Sequence, residues 1–337
     1  MSIEQIFIRA KNNPQRVAFP EANDETTMKV AYEVKTRGYG FPILIGDDIA
    51  AIKALCNEMG YDESVFTFID VTDENLRDSL VERYIELPDI TLGPKTLKKR
   101  MADPLKFALV MEAVGDVDLT VSGFNTKTND VILAALDILG KNPDADVITS
   151  VGLISGPHYN GSEGNVIAFS DPAVRVDPSA SELASIAIMT CDTIHNITGW
   201  TPRCAMLSFS SDGSAKHAFV DKIKEAVAIA NQRRPDLFID GEFQLDSAID
   251  PTVASKKIKR SSEVAGKANI IIFPDINAGN IGVKLMQQFG EAELFGVQLQ
   301  GFRKMCIDCS RGATVEELVG NIALAIINAA EMEKKRP

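Results

Sequence analysis

The sequence predicts an α/β protein whose mostly parallel sheets are covered by helices on both faces. Three observations predict it. Short apolar runs rich in Val, Ile, Leu and Phe alternate along the chain with segments of helical spacing. Those runs are apolar on both faces, as strands buried between helices are. The 337 residues suit two domains of ordinary size, each able to bury its own core.

The strand-like runs come in order as RVAFP (16–20), FPILIG (41–46), VFTFID (65–70), DLTVSG (118–123), DVITSVGLIS (146–155), NVIAFSD (165–171), CAMLSFS (204–210) and NIIIFPD (269–275). Helical spacing appears between several of them: ETTMKVAYEVKTRG (25–38), NDVILAALDILG (129–140), SELASIAIMTCDTI (181–194) and KHAFVDKIKEAVAIANQRR (216–234). No repeat of solenoid period and no low-complexity linker interrupts the alternation. The stretch GPHYNGSEGN (156–165) is long for a hairpin connection and ordinary for an exposed tip.

Composition narrows the function classes. It is that of a globular protein, 45% hydrophobic and 24% charged. No apolar run approaches the roughly 18 residues needed to span a bilayer. The N-terminal MSIEQIFIRAKNNPQR has no apolar stretch followed by a small-residue cleavage site, so a cytoplasmic protein without a signal peptide is expected. The net charge of −12 repels a polyanion, and no basic stripe interleaved with aromatics offsets it, so neither a nucleic-acid nor a membrane partner is expected. A small anion can still be held by a local Arg or Lys.

The five cysteines and three histidines do not form a metal pattern. Cys306 and Cys309 make one C-x-x-C without a second pair, so ordinary thiols are expected and no metal site. No G-x-G-x-x-G opens a helix and no G-x-x-x-x-G-K-[ST] occurs, so the common dinucleotide and P-loop signatures are missing.

In parallel sheets ligands sit beyond the carboxyl ends of the strands. Several strands here run into loops of small polar residues: SGFNTKTND (122–130), SFSSDGSAK (208–216) and FPDINAGNIG (273–282). Any one of them reads equally well as a turn. Together they suggest a site that grips a polar ligand through backbone amides.

The stretch CSRGATVEEL (309–318) carries the densest chemistry. Thr314 and Glu317 fit a capping box, and the following segment has apolar residues at 318, 319, 322, 326 and 329, one face of a helix. Just upstream, Ser310, Arg311 and Gly312 set a hydroxyl and a guanidinium fork at the positive end of that helix, which suits phosphate or carboxylate. From the residues alone, Glu317 is either a cap or a reactive carboxylate.

These strings resemble the phosphate acetyltransferase (phosphotransacetylase) family, within the phosphate acyl- and butyryltransferase superfamily. The resemblance runs almost end to end: VAFPEANDETTMKVA (17–31), DPLKFALVMEAVGDVDLTVSG (103–123), FSDPAVRVDPSASELASIAIMTCDT (169–193), PRCAMLSFSSDGSAK (202–216), RPDLFIDGEFQLDSAI (234–249), VAGKANIIIFPDINAGNIGVKL (264–285) and LQGFRKMCIDCSRGATVEELV (299–319). It implies reversible acetyl transfer between coenzyme A and inorganic phosphate in a ternary complex, with CoA thiolate attacking the acyl phosphate. It implies no metal and no tightly bound cofactor, CoA or acetyl-CoA, acetyl phosphate and phosphate as small-molecule substrates, and a homodimer. It also implies one domain from both chain ends (1–149 with 300–337), a second from 150–299, and an active site in the cleft between them.

By position, the resemblance makes Ser310, Arg311 and Glu317 the catalytic residues, with Glu317 as base where the family carries Asp. Ser122, Gly123 and Thr128 match the loop that cradles acyl phosphate, and Asp275, Gly279 and Asn280 match a D-x-x-x-G-N loop at the CoA side. The chain also departs from the family. Two expected arginines fall at Pro88 and Leu133, and Lys127 and Arg175 are candidates to restore the charge. The departures leave two alternatives to acetyl transfer open: the same chemistry on a propanoyl or butyryl chain, or a binder of acyl-CoA that has lost activity. A decarboxylating dehydrogenase of related architecture would want a metal-binding Asp cluster, which the sequence lacks.

Overall fold

The computed structural model describes residues 3–310 and 312–334. After α1 (Ile3–Lys11) the chain forms two compact units, crossing between them at 142/143 and 301/302.

The terminal unit holds Phe7–Asn142 and the residues from 302 onward. Its elements are β1 (Gln15–Phe19), α2 (Glu25–Thr36), β2 (Gly40–Gly46), α3 (Ile49–Glu58), β3 (Thr67–Asp70), α4 (Glu74–Ile85), α5 (Pro94–Arg100), α6 (Pro104–Val114), β4 (Leu119–Ser122) and α7 (Thr128–Ile138). The central unit, Pro143–Gly301 with the residues up to 6, continues with β5 (Thr149–Ser155), β6 (Val166–Ser170), α8 (Ala180–Thr198), β7 (Arg203–Leu207), α9 (Ala218–Arg233), β8 (Phe238–Phe243), α10 (Leu245–Ile249), α11 (Pro251–Lys257), β9 (Ile270–Ile272), α12 (Ile276–Phe289) and β10 (Glu293–Gln300). The chain then returns to the terminal unit as β11 (Met305–Asp308) and α13 (Val315–Lys334).

The terminal sheet has the order β11-β4-β1-β2-β3, and every pairing in it is parallel. Val17, Ala18, Phe19, Leu44 and Ile45 are fully buried in it. α13 closes one face with Leu318, Val319, Ile322 and Ile326. Burying each such side chain stabilises the fold by about 1.5–3 kcal/mol. The helices start where the sequence offers caps. Asp24 accepts from Thr27 N–H at the head of α2, and Asp103 caps α6 with Pro104 at its first position.

The central sheet is mixed, in the order β10-β5-β6-β9-β7-β8. β10, β5 and β6 pair antiparallel, and the rest of the sheet is parallel. The 156–165 stretch connects the antiparallel pair β5 and β6, closed by a bridge between Gly161 and Gly164. α8 is the buried helix of this unit, entered through a capping box of Ser179 and Glu182 and ended at Gly199 in the left-handed region.

The eight expected strands and the helices between them all form, with ends shifted by a few residues. Three strands were not expected from sequence: β8, β10 and β11. β10 buries Gln298 and Gln300, which read as surface residues, and β11 is only four residues long. One expectation is corrected. Residues 276–282 were expected to lie in a loop and instead form the first turns of α12, because Asp275 accepts from Ala278 N–H at 3.0 Å and starts the helix at once.

Candidate active site

In the terminal sheet the chain runs from β1 through β2 to β3 in one direction, then crosses back to β4 on the other side of β1 and ends at β11. The order therefore reverses between β1 and β4. In open α/β sheets ligands bind outside the carboxyl ends of the strands at that reversal. Three segments emerge there from adjacent strands: Glu21 after β1, residues 122–128 after β4, and residues 308–310 after β11.

The segments are tied together by hydrogen bonds. The Glu21 carboxylate accepts from Phe124 N–H (2.9 Å) and Ser122 Oγ (3.2 Å) on Oε2. Its Oε1 accepts from Asn125 N–H (2.9 Å), Thr126 N–H (2.7 Å) and Thr126 Oγ (2.8 Å). The Ser122 carbonyl accepts from Cys309 N–H at 2.7 Å, and Thr128 Oγ donates to Asp308 Oδ2 at 2.6 Å. Gly123 has φ +94, and a Cβ there would lie 2.3 Å from Asp308 Oδ1 and 2.7 Å from Cys309 N. Only glycine lets the two segments approach this closely.

The expected residues of this unit fall around the same point. Ser122 is buried, while Lys127, Thr128 and Ser310 are exposed. Lys127 is the N-cap residue of α7 and makes no side-chain capping bond. Arg311 lies outside the described residues. Glu317 forms the expected capping box: Thr314 N–H and Oγ donate to its Oε2 at 2.7 and 3.0 Å, and Thr314 Oγ accepts from Glu317 N–H at 3.3 Å. Its neighbour Glu316 pairs with Arg37 at 2.6 Å, and that guanidinium holds the Glu316 carboxyl below its usual range. Leu133, at one lost arginine position, is exposed on α7.

The C-x-x-C is two free, buried thiols. Burial pushes the Cys309 thiol well above its usual range, and the charges of Asp308 and Glu21 push it further. Cys306 is raised in the same way, first by burial and then by Glu112. Neither suits a thiolate nucleophile. Among the described residues no group of three or more His, Cys, Asp or Glu is arranged to hold a metal ion.

The remaining expected residues lie in the central unit, at the carboxyl ends of the neighbouring strands β6 and β9. Asp171, buried just after β6, accepts from Ala173 and Val174 N–H on Oδ1 (3.0 and 3.1 Å) and from Arg175 N–H on Oδ2 (2.8 Å). It also accepts from Ser150 Oγ. The 171–176 segment packs on the start of α12. Gly279 sits so close that a Cβ would be 2.6 Å from the Asp171 carbonyl oxygen, and Asn280 Nδ2 donates to the Pro172 carbonyl at 3.3 Å. The Arg175 guanidinium pairs with Glu182 at 2.5 Å, which neutralises much of the charge expected from it. Glu242 of β8, also buried, accepts from Ser210 Oγ (2.8 Å) and Gly213 N–H (2.9 Å) in the loop after β7.

With this geometry in view, comparison with known proteins decides the family. A sequence profile described as phosphate acetyl/butaryl transferase matches residues 1–326. The chain belongs to that family. The phosphate acetyltransferase of Clostridium acetobutylicum is 36% identical over 330 residues, covering 97% of this chain and 98% of the relative. A crystal structure of a phosphotransacetylase from Streptococcus pyogenes matches with a TM-score of 0.88 and 32% identity over 98% of this chain and all of that one (100%). The EutD phosphotransacetylase from Staphylococcus aureus matches with a TM-score of 0.85 and 29% identity over 98% of this chain and 99% of that one.

Within the family's fold, sequence reasoning located Ser122, Gly123, Thr128 and Ser310 at one point. It missed Glu21, Asp308 and Asp171. Glu21 stands in a string quoted above for its resemblance, and the signal that marks it is its place directly after a strand neighbouring β4.

Proposed function

We propose that this chain is a phosphate acetyltransferase that converts acetyl-CoA and phosphate reversibly into acetyl phosphate and CoA. The observation that carries the reading is likeness over nearly the whole chain to a phosphate acetyltransferase of 36% identity, with Ser310 two residues past the end of β11. In the acetyl-CoA-forming direction, the CoA thiol gives its proton to the Glu317 carboxylate. The thiolate attacks the carbonyl carbon of acetyl phosphate, the carbon–oxygen bond to phosphate breaks, and phosphate leaves with the electron pair. Thiolate formation is needed because a free thiol titrates near pH ~8.5. Arg311 holds the phosphate, and Ser310 donates to the oxyanion. Ser122, Gly123 and Thr128 shape the acyl-phosphate side, Lys127 restores charge lost at Leu133, and Asp275, Gly279 and Asn280 shape the CoA side. Arg175 contributes less, because Glu182 already pairs with it.

The test is thioester absorbance with CoA and acetyl, propanoyl or butyryl phosphate, in the presence of a chelator. Preference for acetyl phosphate, with activity lost by more than about 100-fold in Arg311→Ala and Glu317→Gln, is the expected result. Lys127→Glu should raise the KM for phosphate when the reaction is run from acetyl-CoA and phosphate and followed by loss of the thioester absorbance. CoA binding without turnover would leave only the binder. Full activity in Glu317→Gln would make that residue a cap alone. A cytoplasmic setting is part of the same proposal, and cell fractionation followed by this assay tests it.

A homodimer belongs to the proposal as well. Ile281, Leu285 and Phe289, four apart on α12, are exposed, Phe289 by 84%. A second copy covering that stripe would bury an apolar face that single scattered residues do not make. Light scattering should give twice the chain mass of 36.6 kDa. A single mass would remove the dimer.

A further inference from the structure

We propose that Glu21 is a positioning residue of this reaction. Its carboxylate is a fixed internal anion that shapes the 122–126 loop and, through it, sets the end of β11 that carries Ser310. The inference rests on the transferase reading above.

Three consecutive backbone N–H groups, at Phe124, Asn125 and Thr126, converge on one carboxylate. Convergent amides of this kind form a concavity that binds anions. At the reversal of strand order such a concavity ordinarily faces a ligand's phosphate. Here the chain's own carboxylate fills it, with two hydroxyls, Ser122 and Thr126, completing five donors. A carboxylate offers about four lone-pair sites, so the group is saturated. The substrate phosphate therefore does not take these amides, and its charge is met by the Arg311 region and Lys127.

The consequence passes to β11 through contacts that start in the same loop. Once Ser122 is fixed, its carbonyl holds Cys309 N–H, the residue before Ser310. Gly123 lies against Asp308 and Cys309 with no room to spare, and Thr128 holds Asp308. Removing the carboxylate leaves three amides aimed at an empty cradle and frees the loop that locks residues 308 and 309. A displacement of about 1 Å at a reacting group is enough to cost roughly 100-fold in rate.

The experiment uses the full chain and four proteins: wild type, Glu21→Gln, Glu21→Asp and Glu21→Ala. For each, acetyl-CoA formation and the melting temperature are measured, with and without sodium formate, and with sodium chloride at equal ionic strength. Glu21→Gln should lose roughly 100-fold in kcat with KM for CoA within about threefold, and Glu21→Asp should fall between it and wild type. Formate should enter the vacated cradle of Glu21→Ala and raise its kcat about tenfold or more, while chloride does not and wild type does not respond. A merely structural Glu21 would lower the melting temperature and leave kcat per folded molecule unchanged. Wild-type kcat in Glu21→Gln, or a folded Glu21→Ala that formate does not rescue, overturns the inference while the transferase reading stands. If Glu21→Ala does not fold, the kcat of Glu21→Gln and Glu21→Asp decides. A wild type inactive on every acyl phosphate sinks both readings.

Discussion

The loop after β4 and the loop after β6 are each organised by one carboxylate, but the two carboxylates reach very different distances along the chain. Asp171 takes amide N–H groups two to four residues ahead of itself. Glu21 takes donors 101 to 105 residues away. Asp171 is mainly a local turn device, with one further donor, Ser150 Oγ, 21 residues back on β5, and closing so short a loop costs little entropy. Glu21 is a cross-link between two strand ends that meet only after the sheet has formed. The first secures a segment, whereas the second secures the relation between segments, and that relation is what a site at a strand reversal depends on.

The sharpest way to break this comparison is to disturb the relation without touching a charge. Gly123→Ala places a Cβ against Asp308 and Cys309 at a left-handed φ. Strain and overpacking together should cost about 3–5 kcal/mol, read as a fall in denaturant midpoint, and activity should fall with it. An alanine tolerated without loss of either would mean that the β4 and β11 ends are not locked. Asp171→Ala comes next. It leaves the buried Ser150 hydroxyl and the amides of 173–175 without their acceptor and should cost about 2–3 kcal/mol, with kcat of the folded enzyme within about threefold of wild type. A kcat loss as large as that expected for Glu21→Gln would erase the distinction between the two loops.

The smallest effect belongs to Glu316, whose carboxylate meets Arg37 but is 71% exposed. Arg37 holds the folded carboxyl below its ordinary range. Its stabilisation is therefore present above the unfolded carboxylate pKa and is lost as pH falls through the depressed folded value. Solvent screening keeps it under about 1 kcal/mol. The stability difference between wild type and Glu316→Gln should be small at neutral pH and vanish on acidification. A difference that grows in acid would contradict the pairing.

The same contrast of local and distant explains what the sequence revealed. Apolar runs and the Thr314–Glu317 cap are written in neighbouring residues, so periodicity and spacing expose them. β10 was hidden by buried glutamines, and the helical start of α12 by the loop-like composition of FPDINAGNIG. Glu21 and Asp308 were hidden because their partners are distant in sequence, and nothing in FPEAN or MCIDC names the other strand. The amides at 124–126, in a loop expected to grip a ligand, are directed at the protein's own Glu21 carboxylate. Small polar loops at strand ends thus pointed to the carboxyl ends of β4 and β11 without telling which of their groups are already taken by the chain's own carboxylates.

The most direct test of the account is the rate of acetyl-CoA formation from acetyl phosphate and CoA by the purified wild type, beside Ser310→Ala. The account predicts turnover by wild type and a loss of roughly 100-fold or more in Ser310→Ala at an unchanged melting temperature. A wild type that forms no thioester, or a Ser310→Ala protein as fast as wild type, would contradict the claim that the carboxyl ends of β1, β4 and β11 carry the chemistry.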